Sequence, residues 1–156
     1  NLMTIESWVY PTISRSGGIS YLSPSLLGLG DTYFSIGLDS LTPFFYWWTG
    51  SGNTISSSNA VTLNAWSHIA FVLDANSGTN NIKIYINGTL DGQGTFSGIS
   101  WASGSSGDVV KIGNGNISNA NAYFQGYVQD FRITKGLARY TAADETSNIP
   151  SAPLEG

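Results

Sequence analysis

Short segments with period-two alternation, separated by clusters of Gly, Asn, Ser and Asp, run through most of the chain. The clearest is "NIKIYINGTLDG", in which three isoleucines alternate with Lys83 and Tyr85 before Asn87-Gly88, the dipeptide favoured in tight hairpin turns. Similar alternation marks "TIESWVYP", "YFSIGLD", "DVVKIGNGN" and "GYVQDFRIT", and no segment has a convincing helical period. Short strands with regularly spaced turns predict an all-β fold, either a β-sandwich or a β-barrel.

The composition narrows the classes of protein to which the chain can belong. Its 156 residues make one domain of ordinary size; 13% aromatic residues argue against disorder, and 10% charged residues argue against a solvated helical bundle. Six scattered basic residues and a net charge of −4 make nucleic acid an unsuitable partner. No apolar run is long enough to insert into a membrane. The absence of cysteine excludes disulfides and zinc-thiolate sites.

Five consecutive aromatic residues, Phe44 to Trp48, cannot all face one core from a single strand. If Asp39 pairs with Phe44, then Phe45 and Trp47 share the core face with the apolar residues of "YFSIGLD". Phe44, Tyr46 and Trp48 would then lie on the outer face of the sheet. A register slip of one residue would exchange the two sets, but large rings remain outside the core in either case.

Four segments, in order, resemble the motifs of laminin G-like domains of the concanavalin A-like lectin/glucanase superfamily. They are "TIESWVYPT", "LNAWSHIAFVLD", "IKIYINGTLDG" and "YFQGYVQDFRITKGLARYTA", and the last is similar to versions in bacteriophage tail and virion proteins. The resemblance implies a jelly roll, a β-sandwich of two antiparallel sheets with one concave outer face. It also implies one domain over residues 1–145, lacking the first strand usual in the family, and an extended strap or linker over residues 146–156.

The outer aromatic residues are candidates for carbohydrate binding. We predict that Trp8, Tyr46 and Trp48 form an exposed apolar platform on the concave sheet, with the carboxylate of Glu6 beside it. Tyrosine and tryptophan suit this role because their ring faces stack on apolar sugar faces while their edges form hydrogen bonds. The alternative is that these rings pack under loops or against another subunit.

Two loops provide a second candidate recognition surface. The segments "ISWASGSSGD" and "GNGNISNANAYF" surround Trp101 and Tyr123 with small amides and hydroxyls, Asn116 among them. Adaptable polar groups around aromatic anchors are typical of recognition surfaces, although long turns have the same composition.

The chemistry of a catalyst is missing from the sequence, so we expect no enzyme. The chain has three glutamates, and none stands in the E-x-D-x-x-E spacing with which relatives in the superfamily hydrolyse β-glucans. His68, the only histidine, is expected to be a satisfied core residue. By the family resemblance, Asp130 in "VQDFRI" is a candidate ligand for a structural Ca²⁺.

These observations predict a non-catalytic, lectin-like adhesion module that binds a glycan or cell-surface polysaccharide. The resemblance places it in a phage tail fibre or virion surface protein, in several copies beside other virion subunits, at the virion or cell surface. The alternative is a structural or protein-interaction module of a viral particle or bacterial surface protein, with no sugar ligand.

Overall fold

The computed structural model describes residues 2–16, 25–29, 34–48, 51–96, 110–113 and 123–150, without the side chains of 25–29, 34, 48, 110 and 111. Ten strands occur in these residues: β1 (Leu2–Pro11), β2 (Ser25–Leu29), β3 (Phe34–Asp39), β4 (Thr42–Trp48), β5 (Gly52–Ser56), β6 (Ser67–Asp74), β7 (Ile82–Ile86), β8 (Thr89–Gly94), β9 (Val110–Ile112) and β10 (Gly126–Lys135). The described residues contain no helix, and hence none long and apolar enough to cross a membrane.

The strands form two five-stranded sheets. The first sheet has the order β10-β1-β6-β7-β8 and the second has the order β5-β4-β3-β2-β9. Every described strand pair is antiparallel. The all-β fold predicted from the alternation is therefore confirmed, and so is the two-sheet antiparallel sandwich that the family resemblance implies.

The core lies between the sheets, because alternate residues of each strand face the opposite sheet. The first sheet contributes one parity of β1, β6 and β7, and the second sheet contributes one parity of β3 and β4. The buried core residues are Met3, Ile5, Val9, Ile36, Leu38, Phe45, Trp47, Val61, Ile69, Phe71, Leu73, Ile82 and Ile84.

The hairpin between β3 and β4 tests the predicted register of the aromatic strand. Phe45 and Trp47 face the core as expected, but Gly37, rather than Asp39, pairs with Phe44. The register is displaced by two residues because the turn is tighter than predicted. Ser40 and Leu41, both with positive φ, form a two-residue connection of the kind that matches strand twist. An even displacement preserves which residues share a face.

The hairpin between β7 and β8 turns at Asn87-Gly88, as predicted. Asn87 (φ 50°) and Gly88 (φ 79°) both lie in the left-handed region, and Ile86 pairs with Thr89. The Oδ1 atom of Asn87 also accepts a hydrogen bond of 2.8 Å from the backbone N–H of His68. The turn is thereby attached to the neighbouring strand β6.

Residues 137–149, which we call the closing segment, follow β10 and cross the outer face of the first sheet. Tyr140 packs there with Ala70, Val72 and Tyr85 in a small second apolar cluster. The hydroxyl of Tyr85 donates a hydrogen bond of 3.0 Å to the carbonyl oxygen of Ala142. Burial and the charge of Glu145 raise the pKa of Tyr85 to about 12, so this donor keeps its proton at neutral pH.

The middle of the closing segment pairs with the β7–β8 hairpin. The backbone N–H of Glu145 donates to the carbonyl oxygen of Gly88 at 2.7 Å. The Oε1 atom of Glu145 accepts hydrogen bonds of 2.7 Å from the backbone N–H groups of Thr141 and Ala142, and Oε2 accepts one from the amide of Asn148. Glu145 therefore fixes the segment's own turn as well as its contact with the sheet.

Candidate functional site

Glu6 and Trp8 do not stand on an open face. Glu6 is buried beneath the closing segment, and Trp8 is only 8% exposed, with its ring centroid 5.4 Å from that of His68 in an edge-to-face contact. The prediction that these two residues form part of an exposed platform is therefore wrong. The physical reason is that the outer face of the first sheet is itself a packed layer around the closing segment.

Tyr46 is also buried, with 3% of its surface exposed. It lies on the face of β4 opposite the core, as predicted, but its ring packs against Gly52 of the neighbouring strand. A Cβ atom added to Gly52 would lie 3.0 Å from the ring and hydroxyl of Tyr46. The prediction that Tyr46 is bare is therefore wrong. The side chain of Trp48, and Trp101 and Asn116 altogether, lie outside the described residues.

Beneath the closing segment, Glu6 lies at the centre of a cluster of polar side chains. Its Oε1 atom accepts a hydrogen bond of 2.7 Å from Nε of Arg132 and lies 2.6 Å from Nη2 of the same residue. The Nε atom of Arg139 is 2.8 Å from Oε1 but its N–H does not point at the oxygen, so Arg139 contributes charge. The hydroxyl of Tyr140 donates to Oε2, and Nε2 of His68 is 3.4 Å from the same oxygen.

The surroundings of Glu6 keep its carboxylate ionised. Burial by itself raises the pKa of Glu6, but the contacts from His68, Tyr140 and Arg132, together with the charge of Arg132, outweigh it and hold the pKa at about 2. Burial and the adjacent Glu6 carboxylate raise the pKa of the Tyr140 hydroxyl, which remains a donor. A buried acid held ionised by two cations and a hydroxyl is a structural ion cluster and offers no group for acid-base catalysis.

Each member of this cluster comes from one of the motifs recognised in the sequence. Glu6 lies in "TIESW", His68 in "AWSHIA", Arg132 in "DFRIT", and Arg139 and Tyr140 in "LARYT". The sequence showed that these motifs were present but not that they meet. The unlike charges of Glu6 and the two arginines are a sequence signal that could have suggested their contact.

Asp130 lies in the edge strand β10 and is exposed, with φ 53°. From Glu6 to Trp8, β1 advances two residues while β10 advances three, from Arg132 to Gln129, so β10 carries a β-bulge here. Aspartate tolerates this left-handed conformation better than most residues. The described residues contain no group of three or more His, Asp or Glu side chains that could hold a metal ion. A Ca²⁺ at Asp130 would therefore need backbone carbonyls or waters as its other oxygen ligands.

Three other rings do form an exposed row on the outer face of the first sheet. Tyr127 of β10 pairs with Tyr10 of β1, and Trp66 immediately precedes β6 on the other side. Neighbouring centroids are 5.8 Å apart for Tyr127–Tyr10 and 5.5 Å apart for Tyr10–Trp66, with ring planes inclined by 65° in both pairs. Tyr127 is 64% exposed and Trp66 is 37% exposed. We call these three residues the aromatic row.

The aromatic row was not predicted, although the alternation of β1 contained a signal for it. Tyr10 has the same parity as Glu6 and Trp8, so it shares their face of the strand. The closing segment covers Glu6 but leaves the end of the strand open. Tyr10, two residues beyond Trp8 on β1, is the half-buried centre of the row, and the exposed rings of Tyr127 and Trp66 flank it.

A shallow depression lies at the same end of the sandwich, and we call it the rim depression. It is lined by Pro11, Ile13, Arg15, Leu38, Leu41, Tyr123, Phe124 and Gln125. The guanidinium carbon of Arg15 lies 5.5 Å from the centroid of the Tyr123 ring, which is 39% exposed. Tyr123 thus lies on an accessible surface, as a binding residue must. Its binding role stays a prediction.

Comparison with known proteins identifies the relatives of this fold. Domain 4 of AbnA, a GH43 extracellular arabinanase from Geobacillus stearothermophilus solved with arabinotriose, has a TM-score of 0.64 and 20% identity over 95% of this chain and 64% of that chain. The CBM40 of the Ruminococcus gnavus IT-sialidase, bound to α2,3-sialyllactose, has a TM-score of 0.67 and 16% identity over 88% and 77%. The heptameric SAP-like pentraxin of Limulus polyphemus has a TM-score of 0.55 and 19% identity over 85% and 63%.

At these identities the likeness establishes the fold, and the chain spans less than two thirds of the arabinanase domain and of the pentraxin. A search of curated proteins finds no match to the chain. The Laminin_G_3 family model, described as the concanavalin A-like lectin/glucanases superfamily, matches residues 1–138. The chain therefore belongs to the concanavalin A-like lectin/glucanases superfamily.

Proposed function

We propose that this chain is a non-catalytic carbohydrate-binding module, and that the aromatic row is its main contact with the glycan. The observation that carries the proposal is the exposure of Tyr127, on β10, and of Trp66, just before β6, on either side of Tyr10 on β1. Large exposed rings gathered on one surface mark an interaction site. The neighbouring strands hold these rings in place, so little conformational entropy is lost when they bind.

The chemistry of these rings suits sugars. Each ring offers an apolar face for the C–H groups of a pyranose or furanose, and its hydroxyl or indole N–H remains available for a sugar oxygen. Because adjacent planes are inclined by 65°, a sugar stacked on one ring meets the edge of the next. Such a surface buries little area and gives weak binding at a single site.

The fold supports the proposal by analogy. The arabinanase domain and the sialidase CBM40 are described with arabinotriose and with sialyllactose, respectively, so this sandwich holds oligosaccharides in two relatives. The analogy carries no residue correspondence, because fold does not determine function. The argument for this chain rests on its own exposed rings.

The absence of catalysis is part of the proposal and rests on how the carboxylates are used. Glu6 is enclosed by Arg132, Arg139 and Tyr140, and Glu145 accepts backbone hydrogen bonds within the closing segment. Glycoside hydrolysis requires two carboxyl groups flanking the scissile bond. Neither of these two glutamates is available to a substrate in this arrangement, and Glu155 lies outside the described residues.

The biological setting that we propose is the surface of a bacteriophage particle, in a tail fibre or virion protein that recognises host surface glycans. The support is the resemblance of "RITKGLARYT" to phage versions of the motif. Several copies on one particle would raise avidity by a factor of about 10²–10⁴ without any new contact, which compensates for a weak single site. A structural Ca²⁺ at Asp130, with backbone carbonyls among its other ligands, is a separate proposal.

Binding to a glycan array, followed by calorimetric titration of the best hit, tests the proposal. We expect Tyr127→Ala to weaken binding about three- to tenfold, because one stacked ring contributes about 0.5–1.5 kcal/mol. Ile112→Ala is the matched control, since Ile112 is a similarly exposed apolar residue on β9 of the other sheet. Its affinity should equal that of the wild type.

Two results would contradict the proposal. One is a wild-type protein that binds no glycan on the array, and the other is equal binding by Tyr127→Ala and the wild type. The rival function, a structural interaction module without a sugar ligand, predicts instead that Tyr127→Ala impairs assembly with a neighbouring protein chain. Sedimentation of the purified module with particle proteins distinguishes the two.

A further inference from the structure

The three rings of the aromatic row follow one another across the first sheet. Tyr127 lies on β10, Tyr10 lies on the adjacent strand β1, and Trp66 stands just before β6 on the other side of β1. Successive ring centroids are 5.8 and 5.5 Å apart, a step close to the length of one sugar residue in a chain. An extended glycan that crosses the strands therefore places one sugar residue at each ring.

No described strand closes either end of the aromatic row. On one side, β10 is the outermost described strand of its sheet, and Tyr127 on it is 64% exposed. On the other side, the β7–β8 hairpin turns at Asn87, whose backbone N–H donates to the carbonyl oxygen of His68, so the hairpin ends short of Trp66. A concave pocket encloses a terminal sugar, whereas a row that is open at both ends admits a chain that continues in both directions.

The inclination of the ring planes excludes a flat ligand. The plane of Tyr10 is inclined by 65° to the plane of Tyr127 and by 65° to the plane of Trp66. Stacking requires a sugar face to lie nearly parallel to the ring, so a ribbon of coplanar sugars cannot stack on two adjacent rings of the row. A chain in which successive sugars are turned relative to one another can stack on neighbouring rings together.

The surroundings of the aromatic row favour uncharged sugars. No Lys, Arg, Asp or Glu stands within two positions of any of its three rings. Elsewhere, Arg132 and Arg139 contact Glu6. The Arg15 guanidinium lies over the ring of Tyr123. These cations are engaged away from the row, and the net charge of −4 further disfavours an acidic glycan.

We infer that the aromatic row binds an internal stretch of a neutral glycan chain whose successive sugars are turned relative to one another, with one sugar at each ring. The inference rests on the proposed carbohydrate-binding function and deepens it by naming the class of glycan. The chain runs across the strands, from Tyr127 on β10 to Trp66 beside β6. A chain held by one ring is presented to the next at a high effective concentration, so contacts that are weak singly act together.

The test begins on an array of neutral and acidic oligosaccharides and continues with calorimetric titration of the tightest-binding neutral series, from its monosaccharide to its hexasaccharide. We expect the affinity to rise about tenfold or more from the monosaccharide to the trisaccharide, as further rings are reached. From there to the hexasaccharide it should gain only the statistical factor for additional binding registers, because the row has three rings. Methyl caps on both ends of the hexasaccharide should leave its affinity unchanged.

Two variants shorten the row from opposite ends. Tyr127→Ala and Trp66→Ala should each weaken trisaccharide binding about three- to tenfold and reduce the rise in affinity with chain length. Ile112→Ala, on the other sheet, is the matched control and should keep the wild-type dependence on chain length. Melting temperatures show whether each variant is folded, and the exposed position of Tyr127 makes its variant the safer of the two. Microcrystalline cellulose, whose chains are flat ribbons, should not retain the wild type.

The outcomes separate this inference from the proposed function. If Tyr127→Ala weakens binding but the monosaccharide binds as tightly as the trisaccharide, the chain-binding inference is refuted and the carbohydrate-binding function stands. The same holds if capping the chain ends abolishes binding, if only acidic oligosaccharides bind, or if cellulose retains the wild type but not Tyr127→Ala. If no oligosaccharide binds at all, the inference and the proposed function fail together.

Discussion

Tyr140 donates a hydrogen bond to Glu6 across 134 positions of the sequence, and this bond joins the two ends of the described fold. It lies under the closing segment, where both residues are buried. Because Glu6 is on β1 and Tyr140 follows β10, the contact forms only when both ends of the chain have folded. The motifs that carry the family resemblance therefore meet in a structural ion cluster.

Replacing Tyr140 by phenylalanine tests the weight of this contact. The change removes only the hydroxyl that donates to Glu6 and leaves the ring in its apolar cluster. We expect the free energy of unfolding in urea to fall by about 1.5–3 kcal/mol, the range for hydrogen bonds to charged groups. Tyr127→Phe is the control, because the exposed Tyr127 hydroxyl should contribute less than about 0.5 kcal/mol. Equal stabilities of the two variants would contradict the structural role of the contact.

The pH dependence of stability follows from two carboxylates whose pKa is lowered to about 2 in the folded state, Glu6 and Glu145. The unfolded chain binds protons near the ordinary value of 4.5, so the stabilisation is complete above that pH and is lost as the pH falls towards 2. We expect the melting temperature to be nearly constant from pH 7 to 5 and to drop steeply from about pH 4.5 downwards.

The variant Glu6→Gln separates the contribution of the buried cluster from that of Glu145. It should lower the melting temperature at pH 7, since Arg132 and Arg139 lose their counter-charge. The melting temperature of this variant should also fall less steeply below pH 4.5 than that of the wild type. A drop as steep as in the wild type would show that protonation of Glu6 does not govern the acid transition.

The fold could largely be predicted from local sequence patterns. Alternation identifies the faces of β1, β4 and β7, and Asn87-Gly88 marks a hairpin, because these signals depend on residues close in sequence. The β3–β4 register was missed by two residues since the turn forms at Ser40 and Leu41, whose positive φ values are unusual for their types. Parity survived the error because the displacement is even.

The candidate site was harder to predict from the sequence, for a different reason. Alternation tells which side chains share a face, but it does not tell what covers that face. Glu6, Trp8 and Tyr10 lie on one side of β1. Glu6 and Trp8 are buried, and only the end of the strand at Tyr10 is left uncovered. The cover over Glu6 comes from residues more than 130 positions away, and no local pattern carries that information.

Glu145 holds the closing segment in its turn, and its removal should loosen that segment alone. In Glu145→Ala, the backbone N–H groups of Thr141 and Ala142 lose their acceptor. We expect their hydrogen exchange to accelerate by about tenfold or more, while the central amides of β6 keep their protection. Uniform acceleration throughout the sandwich would instead indicate that the closing segment unfolds only together with the sheets.

Gly88 occupies a position at which we expect no other residue to be tolerated. Its φ is +79°, and an added Cβ would lie 2.6 Å from Cα of Thr146 in the closing segment. Backbone atoms cannot yield as a flexible side chain can, so we expect Gly88→Ala to cost about 2 kcal/mol or more. Gly78→Ala is the matched control, since nothing lies within 4 Å of its Cβ. That variant should be neutral or slightly stabilising, and an equal loss in both would contradict the close approach.

Two explanations of the aspartate at position 130 can be tested. Either its carboxylate binds calcium, or aspartate is present because it tolerates the left-handed backbone conformation there. At a β-bulge with φ 53°, asparagine is as suitable as aspartate, so Asp130→Asn should leave the melting temperature unchanged. Asp130→Val should lower it by contrast, because a β-branched residue is strained in the left-handed region.

If calcium binds at Asp130, EDTA should lower the melting temperature of the wild type. Asp130→Asn should also lower the melting temperature, and it should abolish the response to EDTA. The described residues contain no group of three or more acidic or histidine side chains, so a calcium ion here would need backbone carbonyls or waters as further ligands. A wild-type melting temperature that does not respond to EDTA refutes the calcium proposal, and a calcium-dependent one supports it.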